Sequence, residues 1–295
     1  MLTHIEPAQL RYTIALPDQL ARLLEFTQRA HYRSLQFAST LRHMPASDLC
    51  MVVAWHRDMP VATLIATPIT GPTGWIRGAA MEMVSPAHQL TVISALVQQL
   101  HDSLPGKHWY FTADLYDIWL RDFLVTLGFR LDMHIVVLEC HVRPMPPMAA
   151  TPDTFHLRPM QGDDIPSVLA IDAHAFTHQW HKSAFEVSDM WQSPGIALVV
   201  TSADTVIGYA IAIWHHRANA LHLVRIAVLP AWRRQGVASQ LLAAVIDYAH
   251  SNDAHTVTLN TQHTNTAAIS LYQQYGFQAT GERYPVYHFP VTAPS

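Results

Sequence analysis

Leu221–Asp247, LHLVRIAVLPAWRRQGVASQLLAAVID, reads as a strand, a short turn and the start of a helix. His222, Val224, Ile226 and Val228 alternate with Leu221, Leu223, Arg225 and Ala227, the period of a strand, and Pro230 ends the ladder by removing a donor. From Ala238 the apolar residues Leu241, Leu242, Val245 and Ile246 recur at helical spacing. Between them lie Arg233, Arg234, Gln235, Gly236, Val237 and Ala238, most of whose backbone N–H groups have no strand partner. Gly236 lets the main chain approach a ligand closely, and the next helix presents its positive end. That combination suits a pyrophosphate, although a basic surface turn before a helix has the same local pattern.

Two ordered motifs narrow the choice. Arg233-x-x-Gly236-x-Ala238 after a Val-x-Pro strand end resembles the acetyl-CoA signature of the GNAT superfamily of N-acetyltransferases. Downstream, Asn265, Ala268, Leu271, Tyr272, Gly276 and Phe277 resemble its N-x-x-A-x-x-L-Y-x-x-x-G-F helix. The resemblance implies acetyl-CoA as co-substrate, with the pantetheine arm along unpaired backbone at Ile226, Ala227 and Val228. It also implies that Arg233, Arg234, Gln235, Gly236, Val237, Ala238 and Ser239 hold the pyrophosphate. Asn265 then contacts the cofactor arm or is a plain N-cap. Tyr272 matches the family tyrosine that faces the coenzyme sulfur, with an ordinary pKa near 10 suited to protonating a thiolate; a ring packed in the core is the alternative. His222 stands where histone acetyltransferases of the superfamily carry a glutamate, and as a candidate base it titrates near neutrality unless it is merely a half-exposed neighbour.

The C-terminal half also resembles the ribosomal-protein alanine N-acetyltransferases through Ile171-Asp-Ala-His-Ala-Phe176-Thr-His-Gln-Trp180 and Glu282-Arg283-Tyr284-Pro285. Those enzymes place a glutamate five residues before the motif asparagine; here the position is Asn260, which cannot act as a base. By the same analogy Phe176, Trp180, Tyr284 and Tyr287 are candidates for an acceptor pocket or for core. The resemblance implies an N-acetyltransferase in which a primary amine, on a small molecule or a peptide, attacks directly in a ternary complex. The alternatives are a mycothiol-synthase-like enzyme or a non-catalytic module that binds acyl-CoA or an amine. Oligomeric state is not legible.

Earlier residues repeat the same order of elements. Helix is expected over Pro17–Ala38, Leu90–Leu100 and Trp119–Leu127, and strands at Leu49–Trp55, Val61–Ile69, Trp75–Val84, Trp109–Ala113 and Ile135–Cys140. Val84-Ser-Pro86 parallels Val228-Leu-Pro230, and Asp117…Gly128-Phe129 keeps the spacing of Asn265…Gly276-Phe277. Where the second half has RRQGVA the first has Gln89–Ser94 without glycine, and Leu124 replaces Tyr272. The expected fold is therefore α/β with two tandem GNAT-like domains, each a mostly antiparallel sheet flanked by helices. Residues 1–142 form the degenerate copy, 143–152 a Pro-rich linker and 153–295 the catalytic domain.

With 295 residues the chain accommodates two domains, and with 50% apolar and 14% charged residues it buries a substantial core. A net charge of −4 argues against a nucleic-acid partner. No apolar run approaches the roughly 18 residues a bilayer crossing needs, and the N-terminus lacks a signal pattern, so no membrane partner and a cytoplasmic location are expected. Cys50 and Cys140 lie in apolar runs and are expected to be buried free thiols. His174, His178 and His181 would share a face of a continuous helix, but no zinc pattern accompanies them and no metal is expected.

Overall fold

A computed structural model describes residues 5–34, 48–68, 71–82, 84–113, 117–142 and 155–290. The expected linker, 143–152, lies outside them. The chain divides into two compact units, Met1–Met133 with Tyr284–Ser295, and His134–Arg283. Each unit therefore takes in the last strand of the other sequence half.

The first unit begins with β1 (Arg11–Ile14), α1 (Leu20–Arg29) and the two-residue β2 (Tyr32–Arg33). The helix expected to run to Ala38 ends at Arg29, because Tyr32 and Arg33 pair instead with Met81 and Ala80. Then follow β3 (Cys50–His56), β4 (Met59–Pro68), β5 (Thr73–Met81), α2 (Pro86–Ser103), β6 (His108–Thr112) and α3 (Ile118–Thr126). Strand order is β1-β3-β4-β5-β6, closed by the end of the chain's last strand, whose Val286–Phe289 pair with Trp109–Thr112. Alternation sends Val52, Leu64 and Ile76 into a core with Val92, Leu96 and Leu124, while Met51, Val53 and Ile65 pack under Leu23 of α1.

β7 (Arg130–His141) carries the chain into the second unit, which continues with β8 (Phe155–Pro159), α4 (Ile165–Ala175), α5 (Ala184–Gln192), β9 (Gly195–Ser202), β10 (Thr205–His215) and β11 (Ala220–Val228). It ends with α6 (Val237–Ser251), β12 (Thr256–Gln262), α7 (Thr266–Gln274) and the first part of β13 (Gln278–Phe289). Strand order is β7-β12-β11-β10-β9-β8; all neighbours are antiparallel except β11 and β12. One face packs Leu221, Leu223 and Val228 against Leu241, Leu242, Val245 and Tyr272 of α6 and α7. The other packs Tyr209, Ile211 and Ala227 against Val168, Ile171 and Val187 of α4 and α5. Sequence reading missed α5, although Ser183 and Glu186 form a reciprocal capping box at its start. Both cysteines are free and buried, and burial pushes the Cys50 thiol up to about 11.

Candidate active site

The site is organised by where β11 leaves β12. Their parallel pairing covers only Ala220–Leu223 against Thr256–Leu259. On its other edge β11 stays paired with β10 to Val228, with Val224 as an unmatched extra residue between the pairs Leu223–Ala212 and Arg225–Ile211. This bulge changes the strand's phase. His222 stands on the α4/α5 side, opposite to Leu221 and Leu223, whereas Ile226 and Val228 face α6. The simple alternation that set His222, Val224, Ile226 and Val228 on one face is thus corrected.

Backbone direction follows from the ladder. Leu229 N–H donates to the Ile207 carbonyl, so in an antiparallel pair Ala227 bonds to Tyr209 while Ile226 and Val228 aim their groups at the opposite edge. Among the described residues no strand pairs with that edge beyond Leu223. The Val228 carbonyl accepts from Arg233 Nε at 3.3 Å.

Residues 233–239 lie at the end of this edge. Pro230–Trp232 form a 3₁₀ turn, Arg234 and Gly236 adopt left-handed φ values of 63° and 89°, and α6 begins at Val237. Arg233, Arg234 and Gln235 are exposed, Gly236, Ala238 and Ser239 partly exposed, and Val237 is buried. Among the described residues no backbone hydrogen bond uses the N–H of Arg234, Gln235 or Gly236, and the first turn of α6 adds its own unpaired donors. These converging N–H groups with two guanidinium groups suit a phosphate-bearing ligand. Gly208 of β10 allows the approach of this helix, since a Cβ there would sit 3.0 Å from Val237 Cγ1.

Tyr272 is on α7 with its ring buried against Phe277, and burial pushes its hydroxyl up to about 12 rather than leaving it near 10. Among the described residues that hydroxyl makes no hydrogen bond. Asn265 is the N-cap of α7, its Oδ1 accepting from Ala268 N–H, while its Nδ2 donates to Thr261 Oγ1.

His222 differs from its expected role. Its Nδ1 lies 2.8 Å from Thr258 Oγ1 and its ring stacks on His215 at 5.2 Å. Burial first, and the neighbouring His215 second, push its pKa down to about 4. It is a poor proton acceptor near neutrality. Asn260 is exposed on β12, beyond the last residue paired with β11.

The structure also brings together a cluster that sequence reading did not foresee. The Asp172 carboxylate on α4 accepts from Arg225 Nε and Nη2 at 2.8 and 2.9 Å, from the Tyr209 hydroxyl at 2.6 Å and from Lys182 N–H at 3.1 Å. Arg225 also donates to the Trp180 carbonyl and lies 3.7 Å from the centre of the Phe176 ring. Burial, then the Asp172 charge, push the Tyr209 hydroxyl well above its ordinary value. The bulged strand is thereby tied to the segment Phe176–Lys182. Phe176 and Trp180 belong to this unit, whereas Tyr284 and Tyr287 belong to the other, where Tyr287 packs on its core.

The helix carrying His174 stops at Ala175 and Phe176 is extended, so His174, His178 and His181 share no helical face. Among the described residues no group of three or more His, Cys, Asp or Glu is placed to hold a metal ion. Nor, among them, is any helix long and apolar enough to cross a membrane.

In the first unit, β5 repeats the geometry of β11. Its parallel pairing with β6 ends at Ile76 and Arg77 is the unmatched residue of a bulge. Here, however, the edge beyond the bulge is closed. Tyr32 and Arg33 pair with Met81 and Ala80, Ser34 N–H donates to the Ala79 carbonyl, and Ser34 Oγ accepts from Ala79 N–H. Pro86 opens α2 directly, whereas Pro230 precedes a loop, so the two Val-x-Pro segments are not structurally equivalent.

Residues 165–277 match the acetyltransferase (GNAT) family. A mycothiol acetyltransferase of Renibacterium salmoninarum is 29% identical over 159 residues, 49% of this chain and 46% of that protein. The chain thus matches about half the length of that relative. A putative ribosomal protein bS18-alanine N-acetyltransferase of Bacillus subtilis is 28% identical over 127 residues, 43% of this chain and 83% of that protein. A solved tandem GNAT protein from the clavulanic acid biosynthesis pathway covers 97% of this chain and 100% of its own, with TM-score 0.59 and 12% identity. That likeness establishes the fold, an α/β mixed sheet with flanking helices of GNAT type.

Proposed function

We propose, from the premise that this chain belongs through residues 165–277 to the acetyltransferase (GNAT) family, that its second unit is an acetyl-CoA-dependent N-acetyltransferase acting by direct attack of an amine in a ternary complex. The observation that carries this reading is the edge of β11 beyond Leu223, where among the described residues no strand pairs with the Ile226 backbone, while the 233–239 loop offers unpaired donors at its end. Orphaned backbone of this kind is rare unless a ligand or water meets it.

Acetyl-CoA, when bound, supplies the activated acyl group. Ile226 and Val228 then line its pantetheine arm, Ala227, expected to share that role, being bonded instead to Tyr209 of β10, and Arg233–Ser239 bind the pyrophosphate. Asn265 holds the start of α7 beside them. At about 12 the Tyr272 phenol keeps its proton throughout the assayable range, so it donates a hydrogen bond to sulfur as thiolate character develops. The acceptor lies on the α4/α5 face, between the bulge and the Phe176–Lys182 segment that Arg225 anchors. It is a small-molecule or peptide primary amine, in keeping with the names of the two relatives.

The first unit is read as a tandem copy that does not bind the cofactor. Support comes from β2 and Ser34, which fill the edge that stays open in the second unit, and from the absence of a glycine loop before α2.

Calorimetric titration of acetyl-CoA into wild type and Gly236→Glu tests both statements. Wild type is expected to bind one equivalent per chain at micromolar strength. The variant puts a side chain and a negative charge on a left-handed residue at the phosphate loop and is expected to lose roughly 100-fold or more. No binding to wild type removes the acetyltransferase reading; two equivalents remove the account of the first unit.

A further inference from the structure

An acceptor amine arrives as an ammonium ion and must lose a proton before it attacks, yet neither His222 nor Asn260 can take it. His222 is held neutral by burial with its conjugate acid far too acidic, and an amide is no base. The register of the sheet supplies another group. On β7, Leu138 and Cys140 point into the α6/α7 core, so Glu139 stands on the opposite face. Its partner on β12 is Thr258, whose partner on β11 is His222, so Glu139, Thr258 and His222 form one row across three strands. Asn260, paired with Val137, is the diagonal neighbour of Glu139, within reach of a long side chain.

Three carboxylates of this unit are held in ion pairs, Asp172 with Arg225, Glu186 with Lys182 and Asp164 with Arg158. Among the described residues Glu139 has no ion pair and no side-chain hydrogen bond, and it is only partly buried. The titratable groups sharing its face include His222 and His215 across the sheet, His141 along its own strand, and, further across, Tyr209 and Arg225 with Asp172 of α4.

Resting on the acetyltransferase reading above, we propose that Glu139 is the catalytic residue that accepts the proton of the acceptor ammonium, directly or through one water. The freed amine lone pair then forms a C–N bond to the thioester carbonyl carbon and the C–S bond breaks. The second amine proton passes to the departing thiolate, giving amide and free thiol, and Glu139 returns its proton to solvent. The sequence half outside the family match thus furnishes the base for the half inside it.

The test uses the full chain, acetyl-CoA, and three amine probes, an N-terminal-alanine peptide, cysteinamide and spermidine, with water as the nucleophile in their absence. Thiol release is followed from pH 6 to 9.5, a range set by roughly neutral-to-basic assay conditions. Glu139→Gln is expected to lower kcat about 100-fold with acetyl-CoA affinity unchanged. Glu139→Asp keeps the carboxylate while changing its length, and is expected to exceed Glu139→Gln by roughly tenfold or more, whereas a merely structural role would favour the isosteric Gln. The proposal is overturned if Glu139→Gln stays within about threefold of wild type, if Glu139→Asp is no better than Glu139→Gln, or if wild type binds acetyl-CoA and releases thiol with no probe or water. Failure of wild type to bind acetyl-CoA overturns the acetyltransferase reading itself and this base with it.

Discussion

The Asp172–Arg225 pair gives the most exposed quantitative claim. Asp172 is 1% exposed and the Arg225 side chain 9%, so each charge has left water and is matched chiefly by the other. Changing Asp172 to Asn removes the counter-charge and turns an amide NH₂ towards Arg225 Nη2 or Lys182 N–H, donor against donor. Changing Arg225 to Met strands the carboxylate, leaving it only the Tyr209 hydroxyl and one backbone N–H. Removing one partner of a buried pair costs about 3–5 kcal/mol, because the remaining charge is uncompensated. The double variant leaves no charge, so its cost should fall short of the sum of the singles by at least about 2 kcal/mol. Hydrogen exchange of α6 peptides, at denaturant concentrations where exchange follows unfolding of this unit, reads the four stabilities without treating a chain of two units as two-state. Additive single costs, or either single below about 1 kcal/mol, would refute the claim that the cluster is a desolvated ion pair.

Tyr272→Phe keeps the ring against Phe277 and deletes only the hydroxyl, so acetyl-CoA affinity should hold while kcat for thiol release falls about 100-fold; an unchanged kcat removes Tyr272 from the chemistry. His222 has a folded pKa of about 4 against 6.5 for the ordinary group. The unfolded chain therefore binds the proton first, and stability present above pH 6.5 is lost as pH falls towards 4, by at most about 3 kcal/mol. His222→Gln should flatten that part of the stability profile between pH 7.5 and pH 4.5. Parallel urea midpoints for the two proteins across this range would show that the imidazole is not held neutral.

Local signals in the sequence located β11, the glycine-containing turn and the boundaries of α4, because alternation, a φ-permissive residue and helical spacing each act over a few positions. What escaped depends on pairing across long separations. The bulge at Val224 adds one residue to a continuous apolar run, so nothing in LHLVRIAV marks where the phase turns over. Tyr32 follows a helical pattern and becomes a strand only because the edge of β5 is there to receive it. Asp172 and Arg225 are 53 residues apart, and an arginine in a strand pattern reads as an exposed position until its partner is known. β7 was legible as a strand, but its partner was not, and with that partner goes the position of Glu139. The capping box at Ser183 was legible and was passed over.

Two strands with the same bulge and the same divergence from a parallel neighbour meet the same requirement differently. Beyond each bulge alternate residues aim N–H and C=O at an edge with no parallel partner, and a folded chain leaves few such groups unmatched. At β5 the answer is a hydrogen-bonded segment of the same chain: Ser34 satisfies both backbone groups of Ala79, and Tyr32 pairs with Met81. At β11, among the described residues, Arg233 donates to the Val228 carbonyl and no backbone group pairs with Ile226 on that edge. The glycine-containing turn before α6 stands at the end of an edge that no described strand pairs, whereas α2 follows an edge occupied by Tyr32, Arg33 and Ser34. Inserting a glycine loop before α2 would on this argument create no cofactor site, because a pantetheine arm would still have to displace Tyr32, Arg33 and Ser34 from their backbone partners on β5.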